Sequence, residues 1–284
     1  MTGEEFSQEL ESEIKSKKNL NPDGLYERSA LITGGTSAMG KGIARALLDK
    51  GAKVFLADLD ETRLEQVKAE LSAEYEGSRI RYARLDLLEE GCAEAAFAAA
   101  EAAFDTIDIL VNNAGLCRIH DIMELTDTQI DATFGVNIKG ALHMSRLFAA
   151  SLIRRKKRGS IVNIASNAAK VTFDGQLDYC ASKAALVNMT QYMSRVWAEY
   201  GINVNAVCPG AVDTDMLRYC MEDAVAKSNG QLTIEQCRET WGAAQLGRLV
   251  DPVEIGRVVA FLASESAVVI RGQAINVDAG TTPY

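Results

Sequence analysis

Tyr179 and Lys183 stand four residues apart in a stretch reading Asp-Tyr-Cys-Ala-Ser-Lys. On a helix that spacing puts both side chains on one face, one turn apart. A phenol with a pKa near ~10 is a poor base at neutral pH. A nearby ammonium favours the phenolate and lowers that pKa. The pair can therefore take a proton from an alcohol or return one to a ketone. Ser166 follows an apolar run, residues 160–165, that reads as a buried strand. Its hydroxyl would meet the same substrate oxygen from a second direction. A tyrosine and lysine at this spacing also arise as a half-buried ring beside a solvated cation. The order strand, serine, loop, tyrosine, lysine favours chemistry, and the rest of the chain must supply the frame.

That frame alternates. Strand-like runs fall at 28–33, 53–58, 79–85, 107–112, 160–165, 202–207 and 273–277, with helical periodicity at about 39–50, 61–75, 89–104, 127–155, 177–200 and 252–264. Such alternation predicts an α/β fold of Rossmann type, doubly wound, with a mostly parallel seven-stranded sheet and helices on both faces. With 48% hydrophobic residues among 284, the core can be large. We expect one domain over residues 28–284, with an insertion at about 213–245 acting as a lid. Before it, Phe6, Leu10 and Ile14 recur every four residues, and Thr2 with Glu5 forms a possible capping box. Residues 1–27 thus read as an amphipathic extension lying on the body or on a neighbouring subunit.

The first strand runs into Thr33-Gly34-Gly35-Thr36-Ser37-Ala38-Met39-Gly40, and a helix follows. Glycines let the backbone turn tightly beside a pyrophosphate, and a helix N-terminus offers free N–H groups and a positive dipole end. Asp58 closes the second strand about 20 residues on, where a carboxylate suits the ribose hydroxyls of NAD and repels the 2′-phosphate of NADP. Asp60 is the rival for that position.

With these residues the chain resembles the short-chain dehydrogenase/reductase family, NAD-dependent branch, across residues 28–284. The family's cofactor turn is similar to Thr33, Gly34 and Gly40, with Ala38 where the family has its middle glycine. Its acidic residue on the adenine side is matched by Asp86, its Asn-Asn-Ala-Gly by residues 112–115, and its catalytic asparagine by Asn137. Ser166, Tyr179 and Lys183 complete the catalytic tetrad. Residues Pro209, Gly210, Val212 and Thr214 are similar to the segment that meets the nicotinamide carboxamide, and residues 272–280 to the last strand. The resemblance implies cofactor contacts from Gly34, Thr36, Ser37, Met39 and Gly40, from Asp58 and Leu59, from Asp86 and Leu87, and from Asn113, Ala114 and Gly115. It implies that Lys183 also holds the nicotinamide ribose, and that Asn137 holds a water carrying the proton onward. It further implies a homo-oligomer, a tetramer or a dimer.

Composition narrows the partners. A net charge of −9 disfavours nucleic acid and anionic membrane surfaces. The basic run at 154–158 reads as a solvated helix end. Six cysteines are scattered without C-x-x-C spacing, and His120 and His143 are far apart. Reduced thiols and no metal site are expected. No signal peptide or membrane span is visible, so a cytoplasmic location is expected. The substrate is expected to be small: a polyol, sugar alcohol or hydroxyketone met by Arg118, His120 and Asp178. The lid carries Met216, Leu217, Tyr219, Met221 and Trp241, which keeps a hydroxysteroid or bile acid open as the alternative. A 3-oxoacyl reductase and a non-catalytic NAD sensor are less consistent with Asp58 and a complete tetrad.

Overall fold

A computed structural model describes residues 23–242 and 245–282. The amphipathic pattern at Phe6, Leu10 and Ile14 lies outside the described residues. Seven parallel strands form one sheet in the order β3-β2-β1-β4-β5-β6-β7. They are β1 (Ser29–Thr33), β2 (Lys53–Asp58), β3 (Ile80–Arg84), β4 (Ile109–Asn112), β5 (Gly159–Ile164), β6 (Ile202–Pro209) and β7 (Ala274–Val277). The order reverses between β1 and β4, and crevices for ligands form beyond the strand C-termini at such a switch point.

Residues alternate between the two faces of each strand, and both faces are buried. Ala30, Ile32, Val54, Leu56, Val111 and Val162 pack on one side with α1 (Ala38–Asp49), α2 (Glu61–Ser72) and α9 (Pro252–Ala263). Leu31, Phe55, Leu110, Ile161 and Val204 pack on the other with α3 (Cys92–Phe104), α5 (Ala141–Arg155) and α6 (Leu177–Trp197). Leu25, ahead of the first strand, is fully buried in the first of these clusters, and its N–H donates to the Lys50 carbonyl at 2.7 Å.

Two stretches depart from the sequence reading. The periodic run 127–155 is one helical rod in sequence but three pieces in structure. These are α4 (Asp127–Phe134), a π-helical turn (Gly135–Gly140) and α5. The π turn carries Asn137 inward, and such turns commonly mark functional sites. The insertion after β6 folds as α7 (Asp215–Lys227) and α8 (Ile234–Trp241). Both start on a threonine cap, Thr214 accepting from Leu217 N–H and Thr233 from Gln236 N–H.

Candidate active site

The glycine turn closes on itself before it meets anything else. Gly34 sits at φ +66, a conformation L side chains rarely adopt. The Ser37 hydroxyl donates to the Gly34 carbonyl at 2.8 Å and accepts from Gly40 N–H at 3.0 Å, capping α1. A Cβ on Gly40 would lie 2.3 Å from the Gly34 oxygen. Gly40 therefore lets the helix approach the turn, and it lies behind the residues that line the cleft. Ala38 opens α1 with no positive φ, so the methyl that replaces the family's glycine carries no backbone strain.

Thr33 and Asn113 fasten this turn to the end of β4. The Thr33 hydroxyl accepts from the N–H groups of Asn113 and Ala114, each at 3.0 Å. The Asn113 amide donates to the carbonyls of Thr33 and Gly34, each at 2.9 Å. At the end of β2, Asp58 Oδ2 accepts from Thr36 N–H and Oγ1, and Oδ1 from Leu59 N–H. Three of the roughly four acceptor positions of this carboxylate are thus occupied. The sequence reading had it accepting from both ribose hydroxyls; in this geometry one position is left. The rival Asp60 instead caps α2 by accepting from Arg63 N–H at 3.0 Å. Lys41 turns outward to Glu70 at 3.3 Å. Asp86 accepts from Leu88 N–H at 2.9 Å, and its other oxygen lies 3.7 Å from Arg84.

The proton-transfer residues meet at the other end. Lys183, 3% exposed, donates to the Ile164 carbonyl at 2.8 Å, and its Nζ lies 5.6 Å from the Tyr179 ring centroid. A methyl on Gly115 would sit 3.4 Å from that Nζ and 3.6 Å from Asn137 Oδ1. Ser166 is buried and its hydroxyl accepts from Ala168 N–H at 3.1 Å. Burial pushes Lys183 down to about 8, and burial also pushes the Tyr179 phenol up. A hydrogen bond with Ser166 pulls the phenol the other way but does not prevail. In the chain by itself the phenol is thus raised, by desolvation first and by Cys117 beside it next, and not lowered as the spacing to Lys183 predicts.

Asn137 fastens the loop after β4. Its Oδ1 accepts from Leu116 N–H at 2.7 Å, and its Nδ2 donates to the Leu116 carbonyl and to the Ser182 hydroxyl, each at 2.9 Å. Both amide protons are used, and the side chain does not line the cleft. It acts as a clamp on the loop after β4.

All the other residues assigned from sequence to catalysis or cofactor line one cleft of about 2840 Å³. Ligand pockets usually measure about 300–1,000 Å³, so this one has room for a dinucleotide and a substrate together. Thr214 lines it while its hydroxyl caps α7 at Leu217 N–H, 3.2 Å away. Asp178 does not line it: its carboxylate is buried and accepts from the Thr133 hydroxyl at 2.5 Å. Arg118 and His120 do line it. Sequence reasoning missed Ser182, which supports Asn137, and Cys117 and Cys220, which pack beside Tyr179. Only the packing of α6 on the π turn, and of the loop after β4 on α7, brings them to the site.

The sequence model described as short chain dehydrogenase matches residues 28–224. The chain belongs to the short-chain dehydrogenase/reductase family. It is 35% identical over 259 or fewer residues to curated members, among them galactitol 2-dehydrogenase of Agrobacterium fabrum (strain C58 / ATCC 33970), aligned over 90% of this chain and 98% of that one. It is 33% identical to 3beta-hydroxysteroid dehydrogenase 2 of Eggerthella lenta, over 92% and 96% of the two chains. Among solved structures, an actinorhodin polyketide ketoreductase variant with NADPH superposes with a TM-score of 0.85 at 31% identity, covering 93% of this chain and 99% of that one. This short-chain dehydrogenase/reductase is thus an oxidoreductase of CH–OH groups, in a family that binds a nicotinamide cofactor. Its residues fit such a group: the turn at Gly34, the first turn of α1 at Ala38 and Met39, and the space kept beside Lys183 by Gly115 all open on the same cleft. Among the described residues, no helix is long and apolar enough to cross a membrane, and no cluster of three or more His, Cys, Asp or Glu could hold a metal.

Proposed function

We propose that the protein is an NAD(H)-dependent dehydrogenase that interconverts a secondary alcohol and a ketone on a small polyol, sugar alcohol or hydroxyketone. The observation that carries the reading is a single cleft lined by Ser166, Tyr179 and Lys183 at one end and by Asp58 at the other. A bound nicotinamide cofactor would be held by the Gly34 turn, Asp58, Asp86 and Lys183, and would supply the hydride acceptor or donor. In alcohol oxidation Tyr179 takes the hydroxyl proton. Ser166 donates to the substrate oxygen and holds it toward the phenol. Lys183 stays cationic below about pH 8, and its charge stabilises the phenolate form of Tyr179 that accepts this proton and becomes the phenol. Asn137 holds Leu116, and with it the loop that roofs the substrate. The segment 213–242, with α7 and α8, closes over the site as a lid.

Polar side chains at the substrate end, Arg118, Gln176, Asp223 and Lys227, support a hydroxylated substrate. A second reading, a hydroxysteroid, draws on the apolar rim: Ile122, Phe173, Leu177 and Met216 line the cleft and are 64%, 42%, 52% and 38% exposed. The test is a panel of polyols, acyloins and hydroxysteroids, each offered with NAD+ and NADP+ and followed by nicotinamide absorbance. Turnover confined to hydroxysteroids would replace the first reading with the second. Cofactor binding with no alcohol oxidised would remove both.

A further inference from the structure

Two cysteines far apart in sequence meet against the catalytic tyrosine. Cys117 lies on the loop after β4 and is 3% exposed; Cys220 lies on α7 and is half-buried. Both thiols pack in one small cluster with Tyr179, Cys180 and Ala168, and both line the cleft. The same loop and helix touch at two further points. Tyr219 Oη accepts from Ile119 N–H at 3.3 Å, and the Arg118 guanidinium lies 5.9 Å from the Tyr219 ring centroid. Gln176, at the start of α6, donates to Cys220 Sγ at 3.7 Å. The sulfur contact is therefore the innermost of several seams that seat α7 on the loop.

We propose that Cys117 and Cys220 form a modification site, converted by a peroxide-class oxidant into an intramolecular disulfide that pins α7 to the β4 loop and shuts the cleft over Tyr179. The closure rests on α7 being the lid of a working dehydrogenase; the disulfide itself does not. The two thiols are matched for the two halves of the reaction. Cys220, half-buried on α7, is the thiol that meets the oxidant and attacks as the thiolate, and the buried Cys117 is the one that resolves. Cys220 sulfur attacks one oxygen of hydrogen peroxide, the O–O bond breaks, and hydroxide leaves to become the first water with the proton Cys220 has shed. Cys117 sulfur then attacks the sulfenic sulfur. The S–S bond forms, the S–O bond breaks, and the second water leaves with the Cys117 proton. The sulfurs lose two electrons and the peroxide gains them.

The experiment uses the full chain, first reduced and then titrated with hydrogen peroxide. Free thiols are alkylated, and peptides are mapped by mass spectrometry without reduction. We expect a peptide bearing Cys117 joined to one bearing Cys220, and slower limited proteolysis within residues 213–242. Alcohol turnover falls by about tenfold or more, because access needs the lid to move, and a dithiol reductant restores it. Cys220→Ser, and independently Cys220→Ala, form no cross-link and keep their own untreated rates after peroxide. Cys117 joined to Cys180, or both thiols free after peroxide, overturns the site. A cross-link that changes neither proteolysis nor turnover overturns the closure. The peptide map and the proteolysis need no substrate, so a protein that oxidises no alcohol would sink the dehydrogenase reading while leaving the disulfide to be judged separately.

Discussion

Asp58 takes both the N–H and the hydroxyl of Thr36 on one carboxylate oxygen, at 2.9 and 2.7 Å. The residue that ends β2 is thereby tied to the glycine turn that ends β1. The carboxylate keeps an acceptor position beside the cleft and holds the turn's shape as well. NAD should be preferred over NADP by roughly a hundredfold in kcat/KM, from one charge-assisted hydrogen bond of ~1.5–3 kcal/mol together with like-charge contact. Asp58→Ser should erode that ratio, mostly by weakening NAD, because Thr36 loses its acceptor too. Equal kcat/KM with the two cofactors in the unaltered protein would reject the assignment.

Tyr179→Phe removes one hydroxyl from a ring that otherwise stays packed. Turnover should fall by about 10²–10⁴, the usual contribution of a positioned acid–base group. The dissociation constant for the reduced cofactor, read by fluorescence titration, should stay within a few-fold. Near-normal turnover on the best substrate would show that the proton goes elsewhere.

Lys183 gives a pH signature in stability. Its ordinary value of 10.5 falls to about 8 in the folded chain, so between those limits the unfolded chain binds the extra proton. Stability from this group therefore rises with pH through that window, by up to about 1.4 kcal/mol per unit. Below about 8 the lysine is charged in both states and the contribution is flat. Lys183→Met should lack the rise. Chemical denaturation of both proteins from neutral pH to pH 10 checks it; parallel curves would mean that the lysine is not desolvated.

Asn137→Ala deletes three hydrogen bonds from a side chain that is 1% exposed. Leaving Leu116 N–H and C=O unpaired should cost about 2–3 kcal/mol, measured as a shift of the urea midpoint at constant slope. Asn137→Asp keeps the shape and the acceptor for Leu116 N–H but loses both donors, and should fall between. A midpoint unchanged in the alanine variant would refute the clamp.

Assembly is the last expectation. Leu142 and Ile153 on α5 and Tyr192 on α6 are 37%, 36% and 60% exposed, a set of apolar side chains that a second copy would cover. Light scattering at micromolar concentration should give a homo-oligomer. A stable monomer would leave these faces without a role.

Much of this protein is legible in one dimension, because βα repetition and local chemistry are encoded locally. Alternating buried strands and periodic helices determine the parallel sheet, and a glycine turn followed by a helix marks the cofactor end. The Tyr179–Lys183 spacing needs only one helical turn to be meaningful. What the sequence could not decide depends on residues far apart meeting. Asn137 lies within what reads as one continuous helix, and only its bonds to Leu116 and Ser182 across the π turn make it a clamp. Gly40 reads as a phosphate contact, yet its place is set by the Gly34 carbonyl packed against it. The pKa of Tyr179 is set first by burial, and burial exists only once the sheet, α6 and the β4 loop have closed around the ring. Cys117 and Cys220 are separate thiols in sequence, and folding alone brings them together, because the loops after β4 and β6 leave the same end of the sheet.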